Sequence, residues 1–134
     1  MAKRAWTVLR LMSPPSVNAH TRNAPGKGRV KTAAYAAWRK AAAWEIRAQR
    51  PAPIAGHYEL RAVIQRTGCD LDNHAKAISD ALQGAGVIVN DRLCERLSLE
   101  WTDDPAAPEC VVSIRPAKAP QKLKKATKAG GRAQ

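Results

Sequence analysis

The sequence predicts an α/β (α+β) fold, in which two main helices pack on a small mixed β-sheet in the order β-α-β-α-β-β. Short stretches that alternate apolar and polar residues predict the strands, and two alanine-rich stretches with apolar residues at helical spacing predict the helices. A chain of 134 residues can bury one core, so a single domain is expected rather than two.

The first predicted helix begins at Thr32, a good N-cap, and stops at Pro51. Two prolines end the first strand, because proline cannot donate to a ladder. The stretch 17–31, with four cations and two glycines, is predicted to be a polar loop. The predicted strands are 6–12, 57–66, 96–101 and 110–115, the helices are 32–50 and 72–85, and a brief extended piece at 87–89 precedes a turn at 90–91.

Helical periodicity also predicts which side chains face the core. At about 100° per residue, Asp72 and Lys76 lie side by side at the border of the apolar arc of the second helix, and Asp80 lies further toward solvent. The arc itself comprises Leu71, Ala75, Ile78, Leu82 and Ala85; on the first helix, Tyr35, Trp38 and Ala42 are predicted to face the core.

Charge is the strongest global signal. The net charge is +12, and nine lysines and arginines precede the first acid, Glu45. Such a chain is expected to bind a polyanion, most commonly nucleic acid. Residues 1–116 form the predicted domain, and 117–134 are predicted to be a disordered basic tail, which either adds phosphate affinity or only improves solubility.

The three cysteines show no CxxC spacing, which favours free thiols in a reducing cytoplasm over disulfides or a zinc site. No apolar run is long enough to cross a bilayer. The start of the chain is basic, but its apolar run is short and is interrupted at Arg10, so it does not match a signal peptide. No membrane association is therefore expected.

An acidic constellation interrupts this basic background. Asp70 and Asp72 lie where the third predicted element, a strand, turns into the second helix, and Lys76 follows one turn later. Helix capping, or an i,i+4 ion pair between Asp72 and Lys76, would explain one carboxylate. A second carboxylate adds repulsion, about 1 kcal/mol at 4 Å in water and more near a protein surface, which a divalent cation would offset.

Asp91 is the third candidate ligand, since the turn at 90–91 could return the chain to the same edge. Three carboxylates would suit Mg²⁺, with water and substrate phosphate completing an octahedron. From residue chemistry alone, metal-dependent phosphodiester chemistry is one reading, and a basic nucleic-acid-binding protein without catalysis is the other. A phosphotransferase is disfavoured, because the chain lacks a P-loop or similar nucleotide cradle.

The stretch from Asp70 to Asp91, DLDNHAKAISDALQGAGVIVND, resembles the RusA family of Holliday junction resolvases in both spacing and residue types over 22 positions. The segment Pro14-Pro15-Ser16-Val17-Asn18 resembles the start of the same family. The resemblance covers about residues 5–116. Two positions depart from the common family pattern: Asn90 replaces an aspartate and Leu93 a glutamine.

The resemblance implies a homodimeric, Mg²⁺-dependent endodeoxyribonuclease that cuts four-way DNA junctions by paired nicks, in recombination and repair. It implies no small-molecule cofactor, substitution of Mn²⁺ for Mg²⁺, and a nucleoid-associated protein of a bacterium or phage. Asp70, Asp72 and Asp91 stand where the family's metal ligands stand, and Lys76 stands at its essential lysine. The expected DNA contacts are Asn18, Arg22, Lys27, Arg29, Lys31 and Lys76.

Overall fold

The computed structural model describes residues 5–19 and 21–120, and it confirms the predicted class of a small mixed sheet with two helices. Within these residues, three short 3₁₀ turns lie at Val17–Ala19, Leu71–His74 and Asp91–Leu93. The elements are β1 (Thr7–Leu11), β2 (Thr21–Ala24), β3 (Gly28–Lys31), α1 (Ala33–Ala48), β4 (Tyr58–Gln65), α2 (Ala75–Gly84), β5 (Cys94–Thr102) and β6 (Cys110–Pro116).

The main sheet has the strand order β1-β6-β4-β5. β4 and β5 are parallel, because α2 carries the chain back to the starting end of β4 before β5 begins. β6 is antiparallel to both β4 and β1. Tyr58 of β4 lies beside Cys94 of β5, and Gln65 lies beside Thr102. The loop after β4 and the loop before β5 therefore leave the sheet at opposite ends.

The core lies on one face of this sheet, under the two helices. Alternate residues of the strands point into it, as period-two alternation requires. Ile46 of α1 and Ile78 and Leu82 of α2 are fully buried against them. The predicted arc on α2 is partly wrong: Ala77 and Ala81 are buried, because α1 covers that side of the helix as well.

Helix α1 begins as predicted at its cap. The Thr32 hydroxyl accepts the amide proton of Tyr35, 3.1 Å away. Tyr35 is buried and Trp38 packs partly buried against the core, as expected, whereas Trp44 is 69% exposed. The Thr32 hydroxyl also donates to the carbonyl of Ala19, and the Tyr35 hydroxyl reaches Asp80 of α2.

The prediction of a polar loop at 17–31 is wrong. This stretch contains the β2–β3 hairpin, which pairs Thr21 with Lys31 and forms a sheet of its own. Gly26 and Gly28 have φ of 73° and 71°, which permits the tight connection. The strands have few apolar residues, because the hairpin packs little of its surface, so hydrophobic alternation gave no signal.

The second helix is shorter than predicted, since Leu71–His74 form a 3₁₀ turn and α-helix begins at Ala75. At the other end of the domain, the amide of Ala117 donates to the carbonyl of His57 at 2.9 Å. Most of the predicted basic tail, 121–134, lies outside the described residues. No helix within the described part of the chain is long and apolar enough to cross a membrane.

Candidate active site

The turn that carries the first two aspartates projects from the end of β4. Asp70 precedes the 3₁₀ turn with extended backbone, and its carbonyl accepts the amide proton of Asn73 at 3.1 Å. Its side chain makes no capping hydrogen bond, and both Asp70 and Asp72 are exposed. Within the described residues neither carboxylate forms a salt bridge, so capping does not account for the pair.

A buried histidine braces this turn. His74 is 2% exposed; its Nδ1 lies 2.8 Å from the carbonyl oxygen of Pro14, and its Nε2 lies 2.9 Å from the hydroxyl of Thr67. Because a carbonyl only accepts, Nδ1 carries a proton and donates it to Pro14. The Thr67 oxygen in turn accepts the amide proton of Cys69. His74 thus joins the Pro14 segment to the loop before Asp70, and it is not a candidate ligand.

Lys76, in the first turn of α2, forms two ion pairs. Its Nζ lies 3.2 Å from Oδ2 of Asp91 and 3.3 Å from Oδ1 of Asp80. The alternative i,i+4 pair with Asp72 is not among them, because the 3₁₀ geometry before Ala75 changes the register of Asp72 relative to the helix. The hydrogen bond to Asp91 raises the pKa of the Lys76 ammonium, and Asp80 adds to the effect.

Asp80 is not turned toward solvent as predicted. Its side chain is only 19% exposed. Besides Lys76, it accepts a hydrogen bond from the hydroxyl of Tyr35 on α1. Burial, followed by the hydrogen bond to Asp80, raises the pKa of Tyr35, so the phenol keeps its proton and remains a donor. The tertiary contact between α1 and α2 therefore decides the environment of Asp80.

Asp91 opens the 3₁₀ turn before β5. The side chain of the preceding Asn90 accepts the amide proton of Arg92 at 2.8 Å, which stabilises this turn. Burial raises the pKa of the Tyr58 phenol, and the nearby Cys94 and Asp91 raise it further. Asp91–Leu93 leads directly into Cys94, which pairs with Tyr58, so Asp91 lies at the Tyr58 end of the sheet, while Asp70 follows the other end of β4.

Asp70 and Asp72 lie on the turn before α2, and Asp91 lies on the turn before β5. No group of three or more histidine, cysteine, aspartate or glutamate side chains suited to a metal occurs among residues 5–19 and 21–120. The donor chemistry nevertheless fits Mg²⁺, which takes oxygen ligands and is commonly held by one or two carboxylates together with water and substrate phosphates. Asp70 and Asp72 offer such a pair without competing salt bridges among those residues.

A polar cavity of about 440 Å³ lies beside Lys76. Arg39 of α1 contributes to its wall, as do Gln83 of α2 and Asn90. Carboxylates and cations share this lining. The complete lining is Arg39, Lys76, Asp80, Gln83, Gly84, Asn90 and Asp91.

Five of the six expected DNA-contacting residues lie on the hairpin and on the turn that leads into it, and the sixth, Lys76, lies on α2. That turn, Val17–Ala19, contacts both α2 and Leu71–His74, so the hairpin is rooted next to the aspartate-bearing turn. Arg29 donates to the side chains of Thr21 and Asn23 across the hairpin. The structure exposes all five, Asn18, Arg22, Lys27, Arg29 and Lys31.

Sequence reasoning missed the contacts that Tyr35 and Asp80 make with each other and those of His74 with Pro14 and Thr67. The pairing of Asp80 with Lys76 could have been predicted, since the two residues lie one helical turn apart. Tyr35 could not be linked to it, because the phenol and the carboxylate are brought together only by helix packing.

The family model described as endodeoxyribonuclease RusA matches residues 12–115. Comparison with the curated proteins gives no match. The matched region contains the whole hairpin, both helices, and every residue of the cavity beside Lys76. The chain therefore belongs to the RusA family of endodeoxyribonucleases, enzymes that hydrolyse DNA and act on branched junctions.

Proposed function

We propose that this protein is a Mg²⁺-dependent, structure-selective endonuclease that resolves four-way DNA junctions by paired nicks. Asp70, Asp72 and Asp91 are its metal-binding carboxylates, and Lys76 is its catalytic cation. The observation that carries this proposal is the 3.2 Å contact between Lys76 and Asp91, which joins the middle of the acidic motif to its far end through the tertiary fold.

The chemical roles follow from charge. A phosphodiester repels an attacking hydroxide, and a bound Mg²⁺ neutralises its oxygens and lowers the pKa of a coordinated water. Lys76 keeps its proton, since its pKa is raised, and its ammonium stabilises negative charge that develops on the phosphorus oxygens. The hairpin cations bind the backbone phosphates and supply most of the affinity.

A homodimer suits this activity, because a C₂ dimer presents two equivalent sites to two equivalent strands of the junction. Since one protomer does not assemble three ligands within its described residues, the remaining metal positions are filled by water, by DNA phosphate, or by a carboxylate of a second protomer.

The first test is the cleavage of a panel of four-way, forked and linear DNAs with Mg²⁺, comparing wild type with Asp70→Asn. This change removes one charge and keeps the size of the side chain. We expect cleavage of the four-way junction to be lost and binding to be retained. Glu100→Gln, an exposed strand position away from the motif, is the matched control for charge removal. Full cleavage by Asp70→Asn would exclude the proposed metal site.

A mixing experiment asks which protomer supplies the ligands. If Asp70 and Asp91 serve one metal from different protomers, mixed dimers of Asp70→Asn and Asp91→Asn contain one intact site, which nicks a single strand. If both ligands come from the same protomer, the mixed dimers are inactive.

The alternative function is a nucleic-acid-binding protein without catalysis. Tight binding of DNA by the wild-type protein, with no cleavage in the presence of Mg²⁺ or Mn²⁺, would identify it.

A further inference from the structure

We infer that Asp80, held in place by Tyr35, is the residue that positions Lys76 for the cleavage reaction. The inference rests on the proposed function, in which Lys76 is catalytic. It adds two residues, one on each helix, that would touch neither metal nor DNA and would act only through the ammonium.

The two carboxylates around Lys76 differ in how firmly they are held. Asp91 is the more exposed, at 36%, and lies on a short 3₁₀ turn. Asp80 is 19% exposed, lies within α2, and receives a second hydrogen bond from the Tyr35 phenol. A carboxylate whose rotamer is fixed by a helix and by a second donor orients its partner better than one on a surface turn.

The difference between Asp80 and Asp91 matters during cleavage, when a metal is bound. A carboxylate that ligates a metal gives up part of its hydrogen-bonding capacity toward an ammonium, so Asp91 is the weaker permanent partner for Lys76. Asp80 is not among the proposed ligands, and its pair with Lys76 can persist throughout the reaction. Without Asp80, the flexible four-carbon stem of Lys76 would sample several rotamers.

Tyr35 connects this pair to the body of the domain. Its ring is buried, its amide proton is accepted by the Thr32 cap, and Arg39 lies 5.8 Å from its ring centroid. The chain of contacts runs from the start of α1 through Tyr35 and Asp80 to Lys76. Positioning errors near 1 Å can cost about 100-fold in rate, which sets the scale of the expected effect.

The test uses full-length protein under single-turnover conditions on a four-way junction with saturating Mg²⁺. We expect Asp80→Asn to lower the cleavage rate about 10- to 100-fold, the range typical of positioning partners around a site. Tyr35→Phe lowers it less, and the double variant is no slower than Asp80→Asn alone, because both act on one group. Asp80→Glu, which restores the charge, recovers part of the rate.

Three measurements separate positioning from a general structural effect. The Kd for the junction stays within about twofold of wild type, because phosphate binding comes mainly from the hairpin. NMR of ¹³C-methylated lysines shows the Lys76 signal moving toward those of solvent-exposed lysines in Asp80→Asn. Glu100→Gln, an exposed position on β5 that does not line this cavity, leaves that signal and the rate unchanged.

The outcomes are distinguishable. If Lys76→Ala abolishes cleavage while Asp80→Asn and Tyr35→Phe cut at the wild-type rate, the inference is wrong and the proposed function stands. If the rate loss accompanies a lower fraction of folded protein with the Lys76 signal unchanged, Asp80 is merely structural, and the inference is again wrong. If wild type cuts no branched DNA with Mg²⁺ or Mn²⁺, the proposed function fails first.

Discussion

Replacing His74 with phenylalanine tests the brace beneath the aspartate-bearing turn. The ring that packs edge-on against Trp101, with centroids 5.7 Å apart, is retained, and both hydrogen bonds are lost. Each lost bond costs about 1 kcal/mol, and the orphaned, buried carbonyl of Pro14 costs about 1 kcal/mol more. We expect the free energy of unfolding to fall by about 3 kcal/mol.

Urea unfolding followed by tryptophan fluorescence measures this loss directly. For a domain of this size about 3 kcal/mol corresponds to a fall in Tm of roughly 12 °C. His57→Phe is the matched control: among the described residues the His57 side chain makes one hydrogen bond, to Glu95 at 2.7 Å, with a quarter of that side chain exposed, so its loss costs under about 1 kcal/mol. Equal losses in the two variants would refute the bracing role of His74.

Three further predictions concern other parts of the molecule. Cys110 should resist alkylation at pH 8 while exposed Cys69 reacts, because burial raises the pKa of the Cys110 thiol to about 12; mass spectrometry after iodoacetamide treatment reports this, and equal labelling in folded protein would contradict it. Thr32→Ala should lower the free energy of unfolding by about 1 kcal/mol through loss of the cap on α1, measured by urea unfolding; an unchanged midpoint would show that the cap contributes nothing. Replacing Arg22 and Lys27 by alanine should reduce the slope of log K against log salt for junction binding by about 2 without changing the products of cleavage; an unchanged slope would remove these cations from the DNA contacts.

Much of the fold was predictable because hydrophobic periodicity records the face that each element buries. β4 and β6 alternate apolar and polar residues, and the capping threonine at 32 marks the start of α1. The β2–β3 hairpin escaped prediction for the converse reason. Its backbone hydrogen bonds need no apolar residues, and its side chains are nearly all exposed or half-buried.

The candidate site also has features that local sequence patterns predict and features that they do not. Asp70 on the connection, Lys76 on the second helix and Asp91 in a turn lie where local sequence signals predicted them. Asp72, predicted to start the helix, lies instead in the 3₁₀ turn before it. The alternative ion pair between Asp72 and Lys76 does not form, and Lys76 pairs with Asp80 and Asp91 instead. An i,i+4 rule cannot include Asp91, which approaches Lys76 from a separate turn.

The sequence by itself determined the class of the fold, the basic surface for a polyanion, and the acidic motif, because composition and short-range spacing are properties of the chain. Only the tertiary structure decided that the ammonium of Lys76 lies between Asp80 and Asp91 and that Tyr35 anchors one of them. The physical reason is range: a charge interaction of this kind requires contact within a few ångströms. The packing of α1 on α2 and the crossover from β4 to β5 create those contacts between residues that are distant in the chain.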